Sequence, residues 1–166
     1  MPTDPLADFV ALSSALTGID GSKLRPALDT YGTAQTYFDY ATNHGGAQFV
    51  ELMAVYQANR SKMPEEIGRI IIENTDANVT VMAQAVMLMW YLGAWYEPDA
   101  LKVYVKDYQA GKRPFAPSVI ISSDAYTQGW AWKVGQAHPM GYSELRFGYW
   151  GGDPVALQDL VGDASQ

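Results

Sequence analysis

With 166 residues, 48% of them hydrophobic and only 17% charged, the chain can bury a core without staples, and this composition argues against disorder. A net charge of −7, with the eleven Lys and Arg scattered singly or in small pairs such as Lys112-Arg113, argues against nucleic acid and anionic lipid as partners. Cysteine is absent, which excludes disulfides, thiolate metal sites and a cysteine nucleophile.

The opening Met-Pro-Thr-Asp has neither a basic stretch nor an apolar export segment. Asp4 then reads as an N-cap and Pro5 as the first helical residue. Leu6, Phe9, Val10, Leu12 and Leu16 follow at helical spacing, predicting a helix over 5–16 that stops at Gly18. A second helix is expected over 23–40, with Leu24, Leu28 and Tyr31 on one stripe and Pro26 tolerated near its start. Gly45-Gly46 punctuates. Phe49, Leu52, Met53 and Tyr56 then mark a helix over 47–60. Pro64, followed by Glu65-Glu66 in the first turn, opens another over 64–74, burying Ile67, Ile70 and Ile71.

The stretch 79–93 is apolar nearly all round, as in a helix at the centre of a domain or under a partner. It is broken by Gln84 and Gly93, so no run approaches the ~20 apolar residues of a membrane span. After Trp95-Tyr96-Glu97-Pro98 the texture changes, and periodicity lapses from Lys106 to Ser122. Ser123 is expected to cap a helix over 124–134. From Gly135 to Pro154 the Gly, Pro and aromatic density reads as ordered but irregular, with a closing helical turn near 154–161. The expected fold is all-α: a single helical-bundle domain over 1–166 with an irregular, aromatic-rich C-terminal segment.

Motifs for chemistry are sparse. His44 and His138 lie too far apart for the usual near-neighbour metal pair, and no dinucleotide, nucleoside-triphosphate or serine-elbow fingerprint is present. Glu65-Glu66 reads as a solvated helix start, and Met82, Met87 and Met89 as core packing. No catalytic residue, cofactor site or metal site is therefore expected in this chain. The rings, however, are unevenly placed. All five tryptophans lie between Trp90 and Trp150, where a polar N–H must be placed and where interface hot spots are rich in such side chains.

Trp90-Tyr91-Leu92-Gly93-Ala94-Trp95-Tyr96 resembles the "WYLG" signature of the small subunit of membrane-bound, FAD-containing sorbitol dehydrogenases. Ser122 to Gln128, Ala137-His138-Pro139-Met140-Gly141-Tyr142, Gly148-Tyr149-Trp150 and the opening Phe9 to Gly18 resemble further blocks of that family. The resemblance implies a non-catalytic small subunit that binds and stabilises a large glucose–methanol–choline type flavoprotein, often with a cytochrome c subunit. FAD would sit in that partner. It also implies a periplasmic location after twin-arginine export, although no twin-arginine segment stands in these residues. Trp95, Tyr96, His138, Tyr142, Tyr149 and Trp150 are expected to point outward from helix ends and irregular segments as the partner-binding residues. The rival expectations are a small stand-alone enzyme, using His138 with Asp124 or Glu144, and a chaperone that leaves its client.

Overall fold

The computed structural model describes residues 4–73, 75–139, 141–143, 148 and 151–162. It is all-α apart from one two-stranded ribbon. The elements run α1 (Pro5–Thr17), α2 (Gly21–Leu24), α3 (Thr33–His44), α4 (Gly46–Asn59), α5 (Pro64–Glu73), α6 (Ala77–Leu92), β1 (Ala94–Tyr96), α7 (Pro98–Gln109), β2 (Ser118–Ile120), α8 (Ser123–Gln128), α9 (Trp130–Val134) and α10 (Leu157–Val161).

Caps explain most boundaries. Asp4 Oδ1 accepts the Leu6 N–H at 3.1 Å, Pro5 opens α1, and left-handed Gly18 ends it. Asp76 Oδ1 accepts the Asn78 N–H at 2.7 Å to start α6, and Gly93 closes it at φ 64°. A single residue, Gly45, separates α3 from α4.

The helix expected over 23–40 is two helices. Pro26 breaks it, because the ring bars helical geometry at the residue before it, and Arg25 sits at φ −130°, ψ 79°. Left-handed Gly32 then starts α3 afresh. The helix expected over 124–134 is likewise broken, at extended Gly129, and its cap is Ser122 rather than Ser123. Two elements differ from the expected texture altogether. Helix α7 starts at Pro98 and places Leu101, Tyr104, Val105 and Tyr108 along one stripe. Strand β2 pairs antiparallel with β1, Trp95 opposite Val119.

Helix α6 is the axis of the molecule and packs against α1, α4, α5, α7 and α9. The main core gathers Phe9, Leu12, Tyr37, Leu52, Ile71, Met82 and Trp90 around it. Phe9 stacks along Trp90 at 6.3 Å, and Tyr37 meets the same indole edge-on at 4.8 Å. A smaller cluster of Ala85, Ala94, Tyr96 and Leu101 lies on the α7 side. Gly93 is where these parts join. Its carbonyl accepts the Ile121 N–H at 3.1 Å, and a Cβ there would strike the backbone carbonyl of Ala125.

Candidate functional site

The six residues expected to face a partner separate into three groups. Trp95 and Tyr96 are 4% and 9% exposed, so the expected outward orientation is corrected for both. The cause is β1. Pairing with β2 on one side and packing on α6 on the other presses both rings inward. Trp95 lies 5.7 Å from Tyr40, whose ring in turn stacks on exposed His44 at 4.1 Å. Tyr96 fills the smaller cluster beside Leu101. Tyr149 and Trp150 lie outside the described residues.

His138 and Tyr142 do come together. Both line a cavity of about 560 Å³ between α9, the segment that follows it, and α10. Trp130, Trp132, Val155 and Leu160 give it apolar walls, while Lys23, Lys133, Ser143 and Asp153 supply the polar ones. Tyr142 is held by its hydroxyl, which accepts from Gln128 Nε2 at 2.8 Å and lies 3.1 Å from the Tyr31 hydroxyl. His138 Nδ1 stands 3.1 Å from the Pro139 carbonyl oxygen. A carbonyl can only accept, so this contact is a hydrogen bond when Nδ1 carries the proton. Of the carboxylates considered beside His138, Asp124 is exposed and is not in this wall; Glu144 lies outside the described residues. Asp153, which the sequence reading passed over, is in it.

A second surface lies between α6 and α7. Met87, Leu88, Tyr91, Leu92, Leu101 and Tyr104 line an open, almost wholly apolar groove of about 420 Å³. Tyr91 is fixed in it by its hydroxyl, which donates to the Thr17 carbonyl at 3.0 Å, and burial raises its pKa above the ordinary phenol value. Beyond the groove the chain between α7 and α8 exposes Phe115 (97%), Val119 and Ile120. Helical spacing from Pro98 was the signal that could have found this surface, since it makes α7 amphipathic and leaves a stripe over α6.

Among the described residues no group of three or more His, Asp or Glu is gathered where a metal could be held, and no helix is long and apolar enough to cross a membrane. No protein-family model matches the chain, and no curated protein or solved structure matches it.

Proposed function

We propose that the chain is a non-catalytic subunit that docks onto a larger protein, and that this partner is a flavin-dependent sugar or alcohol dehydrogenase. The observation that carries the docking reading is the uncovered, apolar α6–α7 groove. Contiguous apolar surface on a folded chain is the usual mark of an interface, and large rigid side chains contribute most of the binding there. The nature of the partner is supported by the sequence blocks around Trp90 to Tyr96 and Ala137 to Tyr142. FAD, and any cytochrome c, belong to the partner in this reading, with a periplasmic setting and twin-arginine export of the complex.

The test is affinity purification of the tagged chain co-expressed with a glucose–methanol–choline type flavoprotein dehydrogenase from the same organism. A one-to-one complex that contains FAD and reduces an artificial acceptor is expected. Leu88→Ser or Tyr104→Ala in the groove should weaken association by roughly 30- to 1000-fold, the equivalent of about 2–4 kcal/mol. A chain that never associates with that flavoprotein sinks the reading.

One observation favours a second reading. His138, Ser143 and Asp153 line a single cavity, and these are residue types of hydrolytic and general-base centres. Turnover by the isolated chain that disappears in a folded His138→Ala variant would establish it. An isolated chain inert toward ester and polyol substrates removes it.

A further inference from the structure

The cavity of about 560 Å³ falls within the size range of small-molecule sites, and the polar tips of its wall are spent on the protein itself. Trp132 Nε1 donates to the Tyr126 carbonyl at 2.9 Å, and the Tyr126 ring meets the Trp132 indole edge-on at 5.6 Å. The Tyr142 hydroxyl accepts from Gln128. Gln136 Nε2 donates to the Val155 carbonyl, Thr127 Oγ1 to the Asp124 carbonyl and Lys23 Nζ to the Asp159 carbonyl, each at 3.1 Å. What these residues leave to the cavity is their apolar part, a ring face or a chain of methylenes. Charge favours neither sign there. Lys133, whose Nζ lies 5.0 Å from the centre of the Trp130 ring, is set against Asp153, and Lys23 against Asp20.

The apolar wall is also not closed over. Val155 is 52% exposed, and Trp132 and Leu160 are half-buried. Apolar surface gathered round a space this large is left in water by the fold, and a ligand that displaces the water gains from covering it. An engineered apolar cavity of about 150 Å³ takes up benzene, so the volume here admits a two-ring molecule.

We propose that this cavity binds a neutral, flat ring compound about two fused rings in size. The ring lies against Trp132, Trp130, Val155 and Leu160 and is held by burial rather than by charge. The site does not rest on the docking reading, because it shares no residue with the α6–α7 groove and needs no partner.

The experiment titrates the intact, nitrogen-15 labelled chain at neutral pH with indole, indole-3-acetate and tryptamine, one ring system in neutral, anionic and cationic form. Trp132→Phe and Trp95→Phe assign the indole N–H resonances. Indole should move the Trp132 resonance saturably and leave that of the core residue Trp95 in place. Neither charged relative should bind more tightly than indole. Val155→Asp, at a half-exposed position where substitution costs the fold little, brings a charge to the apolar wall and should weaken indole binding at least about tenfold. Trp132→Ala should weaken it about tenfold as well, the loss typical of one stacking platform, and Val155→Asp decides alone should that variant lose its fold. A Trp132 resonance that indole does not saturate, a shift shared equally by Trp95, a charged relative that binds more tightly, or unaltered affinity in folded Val155→Asp overturns the proposal.

Discussion

Gly93 is the residue on which most depends. It takes a left-handed φ, ends α6, leads into β1 and lies against the Ala125 carbonyl. Gly93→Ala combines backbone strain with overpacking and should cost about 2–4 kcal/mol, read as a lowered midpoint in urea. Tyr37 offers a test by pH. It is buried, its hydroxyl donates to the Ala125 carbonyl at 3.4 Å, and burial pushes its pKa well above the ordinary value of about 10. The folded chain therefore keeps this proton at a pH where the unfolded chain gives it up. Stability that is fully present below about pH 10 is lost as pH rises beyond it. Tyr91 and Tyr56, also raised by burial, act in the same direction. Melting curves between neutral and strongly alkaline pH should show a shallower alkaline loss in Tyr37→Phe than in the parent.

Elements were legible where two signals coincide. In α1, α5 and α6 a cap or an early Pro stands just ahead of an apolar stripe, and the structure places these helices within a residue or two of expectation. Where one local rule opposes another, the local pattern misleads. Pro is tolerated in a helix's first turn, but Pro26 lies beyond it, where its missing N–H and its ring both count. Strands β1 and β2 are three residues each and carry no alternation of their own; they exist because Gly93 turns the chain back and Ile121 bonds to it. Such pairing is a tertiary effect that a local pattern does not announce. Helix α7 was there to be read from Pro98 and the spacing of Leu101, Tyr104, Val105 and Tyr108. Leu101 is 3% exposed and anchors α7 on α6, so Leu101→Ala should cost about 2–4 kcal/mol and reduce helical circular dichroism on mild heating. A silent substitution would mean that α7 is not packed where the structure puts it.

At the scale of the molecule, aromatic density correctly marked the C-terminal half as unusual but did not say which rings face outward. Trp95 and Tyr96 went to the core because β-pairing fixes their direction, whereas Tyr142 and His138 reached a cavity wall. The most exposed large apolar side chain named here, Phe115, sits between Pro114 and Ala116 in a stretch where periodicity lapses, and nothing local distinguishes it. Being uncovered, it contributes little to folding. Phe115→Ser should leave the melting temperature nearly unchanged, within about 0.5 kcal/mol of stability, while reducing the binding of a hydrophobic dye to the isolated chain.

The short α10 is tied to the beginning of the molecule. The Asp20 N–H donates to the Val161 carbonyl at 2.8 Å, and the Lys23 side chain reaches the Asp159 carbonyl. The same Asp20 caps α2: the Ser22 hydroxyl and then the Ser22 N–H donate to its Oδ1, and these two bonds lower its pKa. Because α10 has no fully buried residue, its release requires far less than global unfolding. Amide hydrogen exchange should record two regimes: the Asp20 N–H exchanging whenever α10 lifts away, and those of Phe9 and Leu12 only when the whole chain opens. Deuterium uptake at Asp20 that is as slow as at Leu12 would show that the two ends of the described chain form a single cooperative unit.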